Sequence, residues 1–343
     1  MEQIVKSVLS TAQRAQGVRR LNIMLASAQD EGENTGLGRG KMKILVTGGV
    51  GYIGSHLVEV LRQAGHIVRV LDIISPGDQG VNNPDYEFIQ GSVVDPTPVT
   101  QAVRDTEIVY HLAWSFRPEN RAEEERREIQ ENLCGTLNLL ETALGAGVQH
   151  FIFAGSAVVY GPTGPARVDE EHVCHPEQST LGGPLYGITK LMCEKLCLVY
   201  QQRGLPTTVF RLHGVFDEAQ HLQKMIRQAV AGEPVRVTRQ AGGEYIHMED
   251  ALRALLFAMN NPQAYGEVFN LAGSHTYRDL ELARYIVAAS GSASQIEPVE
   301  DAMQGMISVS VDKLRRVLGY EPQRGEFLTG LVRQALCGEP GSR

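Results

Sequence analysis

Lys43-Ile-Leu-Val-Thr-Gly-Gly-Val-Gly-Tyr-Ile-Gly54 is the stretch that decides the fold of this chain. Five residues rich in β-branched and aliphatic side chains read as a short strand, and a helix begins near Ile53. Between them, Gly48, Gly49, Gly51 and Gly54 satisfy both Gly-x-Gly-x-x-Gly and Gly-x-x-Gly-x-x-Gly spacing. Missing Cβ atoms permit the tight turn and let the backbone approach a pyrophosphate, which the helix N-terminus then meets with unpaired N–H groups. A glycine turn alone is weak evidence; the acid on the next strand strengthens it. Ile67-Val-Arg-Val-Leu-Asp72 ends in a carboxylate 18 residues beyond Gly54. There it accepts hydrogen bonds from adenosine ribose hydroxyls and repels a 2′-phosphate, which favours NAD over NADP.

The same rhythm continues outward. Glu107–Leu112, His150–Ala154 and Thr207–Leu212 read as further strands, with helices over Glu131–Ala146 and Tyr186–Gln202 between them. Strands alternating with helices predict an α/β fold, a doubly wound parallel sheet of the Rossmann type. Beyond Arg211 the alternation loosens. Helices are expected over His221–Ala231, Asp250–Met259, Tyr277–Ser290 and Pro322–Leu336, with short strands at Pro234–Thr238 and Val268–Leu271. The expected division is a nucleotide-binding domain over 42–212 with a returning segment 244–273, and a smaller C-terminal substrate lobe from 213–243 plus 274–336. Residues 1–41 stand apart: Gln3–Gln29 holds no acid but has Lys6, Arg14, Arg19 and Arg20, and Asp30–Gly40 is polar and glycine-rich. They read as an N-terminal extension and linker before Met42, with a transit peptide as the alternative.

Composition narrows the function class. Of 343 residues, 43% are hydrophobic and 21% charged, enough for a sizeable core, and the net charge is −8. That balance argues against a nucleic-acid binder, which needs clustered cations. No apolar run is long enough for a membrane span. Five scattered cysteines, with no Cys-x-x-Cys pair, suit a reducing compartment rather than a disulfide framework or a zinc site, so a cytoplasmic protein without a metal is expected. His172, Cys174 and His175 lack a fourth ligand in view, and Cys193 and Cys197 read as core packing. The Arg- and Glu-rich run Glu119–Glu131 reads as a solvated helix face or a helix–helix contact rather than a ligand site.

Tyr186-Gly-Ile-Thr-Lys190 sets a phenol and an ammonium one helical turn apart on one face. An adjacent ammonium is expected to lower the tyrosine pKa, so that the phenol exchanges a proton with an alcohol while hydride moves to or from nicotinamide. Ser156, just past the strand ending at Ala154, is placed to polarise the same substrate oxygen.

With these segments in hand, the chain resembles the extended short-chain dehydrogenase/reductase family, in its NAD-dependent epimerase/dehydratase group typified by UDP-glucose 4-epimerase. The resemblance runs from about Lys43 to Leu336. It is carried by Thr47–Leu57, His111–Ala113, Asn132–Leu140, Gly155–Gly161, Tyr186–Lys190, Tyr245–Asp250 and Asp312–Pro322. It implies that Gly48, Gly51, Tyr52, Ile53 and Gly54 meet the pyrophosphate and Asp72 the ribose. Ser92 and Val93 would flank the adenine, although the family more often has Asp at the first of these. Leu112 and Ala113 would line the dinucleotide path with Asn132 behind it. Lys190 would hold the nicotinamide ribose, and Ser156 and Tyr186 would act on substrate.

Departures from the family pattern sharpen the expectation. Members that eliminate water carry Thr-Asp-Glu where this chain has Ser156-Ala157-Val158, decarboxylases carry Glu at the Val158 position, and 3,5-epimerizing reductases need Cys here. Alanine and valine move no protons, so these activities are disfavoured. The usual Asn after Arg-x-x is replaced in Arg211-Leu-His213-Gly214. The Arg before the Tyr-Ile-His run is replaced by Gly243-Glu244, and the late Pro-Arg by Pro298-Val299 ahead of Glu300 and Asp301. Losing charge-assisted phosphate contacts favours a smaller or uncharged hydroxylated small-molecule substrate over a nucleotide sugar. The expectation is an NAD-dependent epimerase or oxidoreductase acting at a secondary alcohol or ketone carbon of a sugar-like substrate, in a homodimer without nucleic-acid or membrane partners. The alternatives are a UDP-sugar 4-epimerase, or a non-catalytic NAD-binding regulatory or scaffold protein.

Overall fold

The computed structural model describes residues 40–79, 85–115, 122–164, 166–179, 185–215, 220–239, 241–299 and 306–322. Seven strands form one sheet in the order β3-β2-β1-β4-β5-β6-β9, every neighbouring pair parallel. They are β1 (Lys43–Thr47), β2 (Ile67–Asp72), β3 (Glu87–Gln90), β4 (Ile108–His111), β5 (His150–Ser156), β6 (Thr207–Leu212) and β9 (Glu267–Leu271). The order reverses between β1 and β4, which pair from Ile44↔Ile108 to Thr47↔His111. At such a switch point the loops leaving two neighbouring strands diverge and open a crevice at the strands' C-terminal ends.

Alternation of side chains along the strands sends Ile44 and Val46 to one face and Leu45 to the other, so each face builds its own core. The first joins α1 (Tyr52–Gln63) and α7 (Met248–Ala258) to the sheet through Leu57, Leu61, Leu252 and Leu255. The second receives α2 (Pro96–Val103), α4 (Gly135–Ala146) and α5 (Tyr186–Gln202) through Val99, Leu139, Cys193 and Cys197. Both cysteines are free, and burial pushes both thiols up, Cys193 to about 11. The Arg- and Glu-rich segment forms α3 (Ala122–Ile129), continued by a π-helical turn over Gln130–Cys134; residues 119–121 lie outside the described residues.

A separate small core packs α6 (Gln220–Val230) and α8 (Asp279–Ala289) on the parallel pair β7 (Val235–Thr238) and β11 (Ile296–Val299). β8 (Gly242–Gly243) pairs antiparallel with β10 (Tyr277–Arg278). The last described helix is α9 (Asp312–Leu318), and the helix expected over Pro322–Leu336 lies, after residue 322, outside the described residues. Sequence patterning did not mark β3, α2, β11 or α9. In β3 only Ile89 is buried, and an edge strand of four residues leaves too short a pattern to read.

Two buried carboxylates tie these parts together. Glu194 Oε2 and Oε1 accept from Arg211 Nε at 2.8 Å and Nη2 at 2.7 Å, while Arg211 Nη1 donates to the Tyr160 hydroxyl at 2.6 Å. Tyr160 in turn donates to Asn270 Oδ1 at 2.8 Å, linking α5, β6 and β9 behind the end of β5. Glu244, fully buried, gathers Thr276 Oγ1 and Ser308 Oγ at 2.7 Å, Val309 N–H at 2.8 Å and Arg167 Nε at 3.3 Å. Burial alone would raise its pKa, but the hydrogen bonds from Thr276, Ser308 and Val309 outweigh it and hold the carboxyl below its ordinary range.

Candidate active site

The crevice at the switch point begins with the glycine loop. Gly48 has φ +69°, and a Cβ there would stand 2.6 Å from Ala113 N, so the β1 and β4 loops touch backbone to backbone. A Cβ on Gly54 would overlap the Gly48 carbonyl oxygen. Gly51 is the N-cap of α1 and makes no side-chain cap, and the first turn contains no acid. A helix start left uncapped beside a glycine turn fits a phosphate group, whose oxygens supply the missing acceptors. Asp72 stands at the loop's edge, where Oδ2 accepts from Val50 N at 2.9 Å and Oδ1 from Ile74 N at 3.0 Å. The carboxylate therefore fixes the loop's shape while each oxygen keeps a lone pair for a hydroxyl.

Asn132 lies in the π-turn and spends its amide on one neighbour. Its Oδ1 accepts from Ser115 N and its Nδ2 donates to Ser115 O, both at 2.8 Å. With Thr47 Oγ1 accepting from Ala113 N at 3.3 Å, both flanks of Trp114 are pinned. Beneath them His111 bonds Thr47 and Thr136 through its two ring nitrogens at 2.8 and 3.0 Å. Burial, then the charge of Lys190, lower its pKa to about 3. Ser92 turns inward, accepting from Val94 N at 3.3 Å, and Val93 packs on Gly135, where a Cβ would overlap Val93 Cγ2.

Ser156 closes β5, and Tyr186 and Lys190 occupy the first turns of α5. The three meet. Ser156 and Tyr186 share a side-chain hydrogen bond, and Ser156 Oγ also accepts from Val158 N at 3.3 Å. The expected lowering of the tyrosine pKa by its neighbour is not what the structure shows. Burial pushes the Tyr186 phenol up, the bond to Ser156 pulls it down and the charge of Glu128 adds to the rise. Lys190 is engaged elsewhere: its Nζ donates to Ala154 O at 2.7 Å, lies 3.5 Å from the centroid of the Trp114 ring and stands 5.9 Å from that of Tyr186. Desolvation lowers this ammonium to about 7. The sequence shows spacing, which brings the pair onto one helix face. It does not show how deeply each group is buried, and burial sets both pKa directions here.

A cavity of about 970 Å³ joins these groups. Gly48, Gly51, Tyr52, Ile53, Gly54 and Leu112 line one end and Ser156, Val158, Tyr186 and Lys190 its middle, whereas Asp72, Ser92, Val93, Ala113 and Asn132 stand outside this lining. The far end reaches the small core through His213, Tyr245 and Thr238, with the exposed Lys224 and Arg236 at the rim. His213 packs edge-on against Tyr245 at 5.7 Å and covers Gly243, where a Cβ would collide with its ring. Trp114, Lys224 and Arg236 are cavity residues that the motif reading did not single out. Trp114 follows directly on the His-Leu-Ala run; the two cations belong to no motif of the sequence.

The NAD dependent epimerase/dehydratase family matches residues 44–272. A UDP-N-acetyl-alpha-D-glucosaminuronate decarboxylase of Bacillus cytotoxicus is 29% identical over 268 residues, covering 75% of this chain and 83% of that protein. The solved UDP-glucose 4-epimerase of Thermotoga maritima, with UDP-glucose, is 26% identical with a TM-score of 0.74, covering 86% of this chain and 97% of that one. The Thermus thermophilus UDP-glucose 4-epimerase in complex with NAD is 26% identical with a TM-score of 0.71, over 86% and 98% of the two chains. Glycine loop, sheet order and the match across two thirds of the sequence lead to one assignment: this chain belongs to the NAD dependent epimerase/dehydratase family, whose cofactor is NAD.

Proposed function

We propose that this protein is an NAD-dependent epimerase or oxidoreductase that acts at a secondary alcohol or ketone carbon of a sugar-like substrate. The observation that carries the reading is the convergence of Ser156, Tyr186 and Lys190 on the cavity that the glycine loop also lines. NAD, when bound, would supply the hydride acceptor and donor. The chain's own groups hold the cofactor and move the proton. The glycine loop and the start of α1 would take the pyrophosphate, Asp72 the adenosine ribose, and Lys190 the nicotinamide ribose. Ser156 would hold the substrate oxygen by its hydroxyl. Tyr186, kept as a neutral phenol by burial, is in the form that gives a proton to a carbonyl oxygen, and regains it when an alcohol is oxidised. The segments 213–243 and 274–336 would form the substrate lobe.

Val158 lines the cavity where the decarboxylases carry a carboxylate, and a hydrocarbon there moves no proton. A second reading, a nucleotide-sugar 4-epimerase, is favoured by two cations at the rim, Lys224 and Arg236, the latter paired with Glu297 at 2.9 Å, although the family's usual phosphate-binding positions hold none.

The test is Tyr186→Phe against a panel of sugars, sugar acids and UDP-sugars, with NADH absorbance and product epimers as readouts. Activity should fall about 10²–10⁴-fold, the range for a lost proton-transfer group, with NAD affinity within a few-fold of wild type. Unchanged turnover in the variant would sink the mechanism. UDP alone, followed by thermal unfolding, separates the substrate classes, because a ligand bound only to the folded state must stabilise it.

A further inference from the structure

Trp114 is the only tryptophan of the chain, and its place is built rather than incidental. The residue before it is held by Thr47 and the residue after it by both ends of the Asn132 amide. The main chain is thus pinned on both flanks, while the indole Nε1 is buried without a hydrogen-bond partner among the described residues, so the ring is placed by its aromatic and cationic neighbours. Its ring stands edge-on to Tyr186 at 6.1 Å and 87°, tilts on Phe153 at 6.1 Å, and lines the cavity. Over its face lies Lys190 Nζ at 3.5 Å from the centroid. Lys190 is 5% exposed, a depth at which an aromatic face attracts an ammonium more strongly than it does in water.

An ammonium has three N–H donors and a flexible four-carbon stem. Here one donor goes to Ala154 O at 2.7 Å and the indole covers a second side. The carbonyl and the indole face restrain Nζ, the Phe153 ring stands 5.1 Å away, and Lys190 itself lines the cavity. We propose that Trp114 is a positioning residue for Lys190: its indole face and the Ala154 carbonyl together fix the ammonium so that it is presented to the cofactor. This rests on the reading of Lys190 as the group that holds the nicotinamide ribose. Trp114 acts through Lys190 and exchanges no proton itself. Losing the indole returns to Lys190 the rotamer freedom that cofactor binding must then remove, and the cost appears as weaker NAD binding.

The decisive experiment is a double-mutant cycle on NAD affinity, measured by calorimetry at pH 6, where Lys190 carries its proton, with wild type, Trp114→Leu, Lys190→Met and the double variant. Trp114→Leu should weaken NAD about tenfold, or ~1.4 kcal/mol, in the wild-type background and leave it within about twofold in the Lys190→Met background. Trp114→Phe, which keeps an aromatic face, should restore binding to within about threefold of wild type. Equal weakening in both backgrounds, or none in the wild-type background, overturns the proposal. Should Trp114→Leu fail to fold, the emission of the lone indole decides: Lys190→Met should change its intensity by removing the proton donor over the ring, and an unchanged spectrum overturns the proposal. Neither readout needs a substrate, so a chain that binds NAD yet turns over nothing refutes the hydride-transfer reading and leaves this one standing or falling on its own.

Discussion

Replacing Lys190 by Met removes a buried ammonium and puts an uncharged thioether of similar length in its place. In the native protein desolvation holds this group at about 7 against its ordinary 10.5. At about 1.4 kcal/mol for each pH unit of displacement, burying the charge costs the fold ~5 kcal/mol. That cost stands in full below pH 7, where both folded and unfolded chains carry the proton. Between pH 7 and 10.5 the native amine is neutral while the unfolded chain still binds its proton. Unfolding then takes up a proton, and stability rises with pH by up to about 1.4 kcal/mol per unit. The Met variant also loses the bond to Ala154 O and the indole contact, together ~2 kcal/mol. Lys190→Met should therefore be more stable than wild type by roughly 3 kcal/mol at pH 6.5, the advantage fading to near zero by about pH 9. Urea unfolding of both proteins at four pH values, without added nucleotide, gives the difference directly, and subtraction removes every other titrating group. A difference that stays constant with pH, or a Met variant less stable at pH 6.5, would refute the argument that burial dominates at this residue.

Three other perturbations probe separate parts of the fold. Gly54→Ala forces a methyl into the Gly48 carbonyl oxygen; thermal unfolding should show a loss of ~2 kcal/mol or more, and a calorimetric titration the loss of NAD binding. Arg211→Leu takes from the Glu194 carboxylate, which is 1% exposed, its two-pronged partner and leaves it Lys195 Nζ at 3.3 Å; this should cost about 3 kcal/mol in urea unfolding, with much of it recovered by adding Glu194→Leu. His111 and His150 are each held at about 3 by burial, so the native imidazoles stay neutral while the unfolded chain protonates below about 6.5. Stability is then lost as pH falls through this window, by up to about 1.4 kcal/mol per unit for each histidine, and His150→Gln should make the urea midpoint fall less steeply between pH 6 and 4.

What the sequence made legible here is what is local. Gly48 to Gly54 and Asp72 are readable because a turn, a helix start and a strand end are set by neighbours along the chain. Tyr186 and Lys190 are readable because helical period alone brings them together. Contacts made by distant segments are not. Nothing in the run His111–Ser115 announces that Trp114 will cover Lys190, and Gly243 reads as an ordinary glycine until the ring of His213 is seen to occupy the space above it. Lys224 and Arg236 show the same limit, since a cation on an amphipathic helix or a short strand gains meaning only when the cavity reaches it. The tyrosine pKa shows the same limit: sequence spacing gives a neighbouring charge, but neither the burial that raises the phenol nor the 5.9 Å between that ammonium and the ring.

Glu244 carries a consequence for how the sequence around it can drift. Its carboxylate is met by one guanidinium, two hydroxyls and a main-chain N–H, drawn from positions 167, 276, 308 and 309. Each contributor needs only a hydrogen to offer, so serine, threonine or a bare peptide group can stand in for one another there at modest expense. The hub has no such latitude. An amide in its place would turn an N–H₂ toward donors, and a shorter acid would fall short of some of them. The surrounding loops are thus free to wander in composition while one residue keeps them gathered.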